Sequence, residues 1–434
     1  MLKTLGAQIK EFKKDSFLTP VFMILEVLME TIIPLMMASI IDNGVEAGDI
    51  HHIYVMGGCM VIVACISLFA GTMGGKYGAR ASAGFARNLR KAMYENIQTF
   101  SFSNIDKFST AGLVTRLTTD VTNLQNAYQM LLRMCVRAPI SLICAMIMAF
   151  FINARLASVY LIAVIVLGMI LAIITVRAHH YFMEVFPKYD DLNASVQENV
   201  SAIRVVKAYV REDYEKKKFT QASKNIYNMF VKAEGVLAFN SPVMQIAVYS
   251  CIIALSWLGA KMIVAGSLTT GELMSLLTYC MNIMMSLMML SMVFVMLAMS
   301  IASAERICEV LNEKSDITNP ENPVYEVADG SVTFDHVTFR YNKTSDKPIL
   351  DDVNLSIRSG ETIGVIGGTG SSKSSLVNLI SRLYDVSEGA VLVGGKDVRS
   401  YDLDTLRDEV SVVLQNNVLF SGTIYENLRW GDKN

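Results

Sequence analysis

Apolar residues gather into six long stretches over the first 301 positions and into short, alternating runs after them. A bilayer core takes roughly 20 helical residues to cross. Stretches 17–41, 53–74, 130–152, 156–176, 237–265 and 273–301 all reach that length. They predict six membrane-spanning helices, with both ends of the block on one side. The segments SAGFARNLRKAMYENIQTF and ASVQENVSAIRVVKAYVREDYEKKKF separate spans two and three, and four and five. Both carry apolar residues at helical spacing. Spans two to five are therefore expected to continue as helices beyond the membrane, giving two long hairpins with tips near 104–108 and 209–213.

Residues 302–330 turn polar and bring in Pro320 and Pro323, which marks a boundary. From Ser331 onward the pattern predicts strands at 332–341, 350–357, 362–367, 390–395 and 411–415, and a short helix at 403–407. Strands alternating with helix indicate an α/β domain. The expected order is a polar N-terminal segment (1–15), a six-helix membrane domain (16–301), a linker (302–330) and an α/β nucleotide-binding domain (331–434). The last is shorter than such domains usually are and is expected to be incomplete.

The nucleotide assignment rests on GVIGGTGSSKSS, residues 364–375. A buried strand over 362–366 leads into a Gly-rich loop, then Lys373, Ser374 and an amphipathic helix over 375–383. That is the context a phosphate-binding loop requires. Loop glycines let backbone N–H groups point at phosphate oxygens, and the helix N-terminus adds donors and a positive dipole end. Gly367, Gly368, Thr369, Gly370, Ser371, Ser372 and Ser375 would form the cradle. Lys373 would reach the β- and γ-phosphates of ATP, and the Ser374 hydroxyl would ligate Mg²⁺. Ser372 stands where the pattern wants glycine, so its Cβ can crowd the phosphates or strain the loop.

Composition agrees with a membrane protein. The chain is 52% hydrophobic and 18% charged, with mean hydropathy +0.39, too apolar for an ordinary soluble domain. A net charge of −2 gives no basic field for nucleic acid. Lys and Arg concentrate in the two long loops, while the short loops hold almost none. By the positive-inside rule, the long loops, both termini and the nucleotide-binding domain are cytoplasmic, in a multi-pass protein of the cell membrane. Seven cysteines lie mostly in apolar runs without metal-ligand spacing and read as small hydrophobes. His51–His52 and His179–His180 have no further ligands beside them, and no metal site is expected there.

Glu26 and Glu30 lie one turn apart in the first span. Intramembrane carboxylates are costly and default to a functional hypothesis. They would bind a cationic substrate in a cavity, or turn to the bundle and be held by polar partners. Arg133 and Arg137 open the third span and are expected to snorkel to the interface. The sixth span is rich in methionine, which serves as apolar filler or as a surface that repacks around varied ligands.

Several motifs together resemble one half of an ABC exporter. QENVSAIRVVKAYVRE (197–212) and SFSNIDKFSTAGLVTRLTTDV are similar to its cytoplasmic hairpins. GSLTTGEL and SAERICEVL flank the sixth span as in that family, and VTFRY, ending at Tyr341, resembles the A-loop. GGTGSSKSS resembles the Walker A motif, and LQNNVLFSGTIYENL (414–428) the Q-loop region. The match is nearest to bacterial heterodimeric multidrug-type exporters. The resemblance implies that Tyr341 stacks on adenine and that Gln415 meets Mg²⁺ or the attacking water. It also implies a second half-transporter as partner, a heterodimer in preference to a homodimer, and an amphipathic small molecule as cargo. The family's signature loop and Walker B acids are not found, so no catalytic residue can be named and the chain is not expected to hydrolyse ATP alone. The alternative is a non-catalytic, nucleotide-sensing subunit with a degenerate ATP site.

Overall fold

A computed structural model describes every residue except 342–346, 369, 414–417 and 431–434; at 179, 182, 183, 186, 187, 190, 194, 295, 298 and 299 only the backbone is described. The chain divides into two compact units. The first comprises Met1–Lys91 and Thr118–Cys308, the second Ala92–Leu117 and Glu309–Asn434.

The first unit is helical. A short helix α1 (Leu2–Gly6) leads through a 3₁₀ segment (Ala7–Phe12) into α2 (Lys13–Ser39). Then come α3 (Ile50–Gln98), and, after two short helices of the second unit, α6 (Val121–Ile152) and α7 (Ala154–Ser201). A small α8 (Ile203–Ala208) precedes α9 (Glu212–Ala238), α10 (Asn240–Val264) and α11 (Thr270–Asn312). Among the described residues, six stretches are long and apolar enough to cross a membrane. The 49 residues of α3 and 48 of α7 run about 1.5 Å each, far beyond a bilayer core. The expected helical extensions are therefore present. Helix α11 continues unbroken to Asn312, so the first part of the 302–330 segment is helical.

Each joint has a local cause. Asn153 adopts an extended backbone between α6 and α7, and its side chain accepts from the N–H groups of Arg155 (3.1 Å) and Leu156 (3.2 Å). Asp42 accepts from Thr269 Oγ1 (2.6 Å) and from the Gly271 N–H (2.7 Å), tying the end of the first span to the start of α11. Gly271 has no alternative there, since a Cβ would lie 2.4 Å from the Ala38 carbonyl oxygen. The core combines Leu156, Tyr160, Leu167, Leu255, Leu276, Tyr279 and Ile283, all at most 1% exposed. The two buried tyrosines donate to backbone carbonyls, Tyr160 to Leu276 (2.8 Å) and Tyr279 to Thr31 (2.6 Å). Both polar ends are thus satisfied inside an apolar bundle.

The second unit holds α4 (Phe102–Phe108), α5 (Thr110–Thr115) and a four-stranded sheet of order β2-β1-β3-β4. The strands are β1 (Val332–Phe339), β2 (Leu350–Ile357), β3 (Glu388–Val393) and β4 (Lys396–Asp397), and all pairings are antiparallel. Helices α12 (Lys373–Ile380), α13 (Leu403–Glu409) and α14 (Ile424–Leu428) complete it. Phe334, Val337, Phe339, Leu379, Val391, Val393, Tyr401 and Leu406 form its core.

Two expected strands differ. Residues 362–366 form no strand and are exposed, with Ile366 at 97%. Residues 411–413 are likewise not paired, and 414–415 lie outside the described residues. A strand is held by its neighbours, and among the described residues no strand lies alongside either segment.

Candidate functional site

The loop before α12 carries the strain expected of Ser372. Gly370 takes φ +84°, and Ser372 sits in the left-handed region at φ 64°, ψ 19° as the residue capping α12. A residue with a Cβ pays about 1–2 kcal/mol for that conformation, whereas glycine does not. The Ser372 side chain makes no capping hydrogen bond to offset it.

Lys373 curls back over the loop. Its Nζ donates to the carbonyl oxygens of Gly367 and Gly368 (both 2.8 Å) and to Ser371 Oγ (3.1 Å). The ammonium thus occupies the concave side of the loop, where a phosphate would offer it stronger, charged acceptors. Ser374 is exposed, and Ser375 beside it is buried. Thr369 and Gln415, both expected in the site, lie outside the described residues.

Tyr341 reaches this loop from 34 residues away. Its hydroxyl lies 2.9 Å from Ser375 Oγ, and its ring packs edge-on against Phe339 (4.8 Å) and Tyr384 (5.0 Å). The ring remains 44% exposed, so a face is open for stacking. A cavity of about 440 Å³ opens beside it, lined among others by Arg340, Tyr384, Ser387 and Glu388. The donor set and exposed aromatic fit ATP with Mg²⁺: a lysine and a hydroxyl at a helix N-terminus, with an aromatic ring one hydrogen bond away.

Tyr384 was not singled out by any sequence motif, yet it links the site to α4. Its hydroxyl donates to Asp106 Oδ2 (2.8 Å) and its ring packs against Phe102 (5.9 Å). Burial, with the Asp106 carboxylate beside it, raises its phenol above the usual range, so it stays a donor. Helix α4 is itself fixed by a capping box between Ser101 and Asn104. Ser101 and Ser103 both donate to Asp316, Asn104 donates to Glu313 Oε1 (2.8 Å), and Lys107 pairs with Glu313 (2.8 Å). The first hairpin tip is therefore bound within the second unit. Tyr209 and Val210, at the second tip, are 76% and 81% exposed.

In the first unit, Glu26 and Glu30 converge on one guanidinium. Arg137 donates through Nη1 to Glu26 (2.7 Å) and through Nη2 to both oxygens of Glu30 (2.9 Å). Arg137 therefore bridges α2 and α6 instead of snorkelling, because two carboxylates lie within its reach at the same depth. Gly71 makes room for the cluster, as a Cβ there would lie 2.9 Å from Glu26 Oε1. The second Glu26 oxygen is buried and has no hydrogen-bond partner among the described residues.

Residues 16–288 match the ABC transporter transmembrane region, and residues 350–434 match the ABC transporter family. An uncharacterized ABC transporter ATP-binding protein of Bacillus subtilis is 33% identical over 414 residues, 95% of this chain and 72% of that protein. One from Mycobacterium tuberculosis is 35% identical over 433 residues, 99% of this chain and 74% of its own length. An ATP-dependent lipid A-core flippase of Syntrophus aciditrophicus is 27% identical over 380 residues, 87% of this chain and 61% of the flippase. With its six apolar helices, its glycine-rich loop before α12 and these matches along both regions, the chain belongs to the ABC transporter family and has the layout of an exporter half.

Proposed function

We propose that the chain is one half of an ATP-driven exporter that moves amphipathic small molecules, multidrug-like or lipid-like, out of the cytoplasm. The observation that carries this is the hydrogen bond between Tyr341 and Ser375, which sets a base-stacking ring beside the phosphate loop. Stacking contributes about 1–3 kcal/mol per base in nucleic-acid sites. Gly367, Gly368, Thr369, Gly370, Ser371, Ser372 and Ser375 would surround the phosphates, and Lys373 would leave its carbonyl acceptors for the β- and γ-oxygens. Ser374 and Gln415 would hold Mg²⁺. Bound ATP with Mg²⁺ supplies the phosphoryl-transfer chemistry that drives the cycle. The line Tyr341–Tyr384–Asp106 ties site occupancy to α4. The flippase relative supports a lipid-like cargo. The distribution of Lys and Arg supports termini and ATP site on the cytoplasmic side of the cell membrane.

Inside-out vesicles containing the protein together with its partner half should accumulate an amphipathic cationic dye with Mg-ATP, and not with a non-hydrolysable analogue. Nucleotide binding without accumulation would leave the second reading; loss of binding would remove both.

That second reading, a nucleotide-sensing partner with a degenerate site, is favoured by one observation, the left-handed Ser372. The same residue supports a heterodimer, in which the other half supplies the stronger site. Ser372→Gly should stabilise the second unit by about 1 kcal/mol and tighten ATP binding severalfold, read by thermal unfolding and nucleotide titration. Unchanged affinity would take away the basis for a degenerate site.

A further inference from the structure

The N-terminal segment closes one side of an apolar groove in the first unit. Leu2, Leu5 and Ile9 face Leu124, Leu131 and Leu297 across a cavity of about 290 Å³, close to the lower end of small-ligand pockets. Leu131 lies at the end of the third apolar stretch that adjoins the first long basic loop, and Leu297 at the end of the sixth that leads into the linker, both ends expected on the cytoplasmic side. The groove therefore sits where hydrocarbon gives way to headgroups.

The segment is built into place. Arg87 pairs with Glu11 and lies over the Phe12 ring at 5.2 Å. Asn88 donates to the Gln8 carbonyl (3.0 Å) and to Glu11 Oε2 (3.2 Å). Glu11 is thereby engaged with α3. Lys3, Lys10, Lys13 and Lys14 on the same segment are all exposed. Four cations next to a membrane helix read as recognition of anionic headgroups, and an apolar slot beside them suits a hydrocarbon chain.

We propose that this groove holds one acyl chain of an anionic phospholipid, whose headgroup phosphate is recognised by Lys3, Lys10, Lys13 and Lys14. The groove is separate from the nucleotide site and does not rest on the transport reading. Lipid bound there staples the N-terminal segment to α6 and α11 and places the charge requirement on the same leaflet as the basic loops.

The test uses the protein in vesicles with two photoactivatable phospholipids of identical chains, one with a glycerol headgroup and one with choline. Labelled peptides are mapped by mass spectrometry. The anionic probe should label 2–9, 124–131 and 297–304 at least threefold more than the zwitterionic one. Replacing the four lysines with glutamine should bring the two probes level. Gly6 lines the groove with nothing within 4 Å of the position its Cβ would take, so Gly6→Phe should fill it without a clash. That variant should lose groove labelling while exposed Ile253 and Trp257 on α10 remain labelled. Equal labelling by both headgroups, or labelling unaffected by Gly6→Phe, would overturn the proposal. Should one variant fail to fold, the headgroup comparison on the unaltered protein still decides it.

Discussion

Replacing Arg137 with leucine should destabilise the membrane unit, by less than the ~3–5 kcal/mol that removing one partner of a fully buried ion pair costs, because the Arg137 and Glu30 side chains are 29% and 41% accessible. The substitution keeps side-chain bulk but strands two carboxylates inside the span. Glu26 is the more exposed to harm: its side chain is only 12% accessible and one oxygen already has no hydrogen-bond partner among the described residues. The change is measurable as the shift in unfolding midpoint on titrating purified protein with a denaturing detergent. Glu26→Gln together with Glu30→Gln should restore most of the loss in the Arg137→Leu background, since the neutral amides remove the charge that hydrocarbon penalises. The same double substitution in the Arg137 background also addresses cargo. If Glu26 and Glu30 bind a cationic substrate by exchanging it for Arg137, transport of a cationic dye should fall while a neutral one continues. Unchanged transport of both would assign the cluster to holding α2 against α6.

Lys373→Ala should weaken ATP binding roughly tenfold to 150-fold, and with it abolish ATP-driven transport. A hydrogen bond to a charged group contributes about 1.5–3 kcal/mol, which sets that range of affinities. Part of the wild-type gain is spent in releasing Nζ from Gly367, Gly368 and Ser371, so the lower half of the range is expected for binding. Those acceptors are neutral carbonyl and hydroxyl oxygens, which a doubly charged phosphate outcompetes. Equilibrium titration with a fluorescent ATP analogue separates this from unfolding, because the alanine variant should keep its melting temperature. Affinity within twofold of wild type would show that the loop does not engage phosphate through Lys373.

The membrane half of the fold was readable because its signal is long and one-dimensional. Hydrocarbon leaves helices as the only way for single apolar stretches to satisfy their backbone, so six apolar runs become six candidate spans without reference to neighbours. The helical extensions followed from local periodicity in the same way. Strands β1, β2 and β3 were also visible, as alternating runs. The run at 362–366 looked as good by composition, yet it is unpaired and exposed, because a strand needs a partner that its own residues do not specify.

For the candidate sites, the residue list was legible and the relationships were not. The glycine-rich loop announced Lys373 and Ser374 through their spacing, and the missing glycine announced the strain that Ser372 carries at φ 64°. Tyr384 carried no motif, and only packing shows that it joins Asp106 of α4 to Tyr341. Glu26 and Glu30 stood out as a pair one turn apart, but their partner lay 107 residues away from the nearer of them. A span's own sequence states that a charge is present in the membrane. Which charge answers it depends on how α2 and α6 lie against each other at that depth, and that was decided by tertiary packing alone.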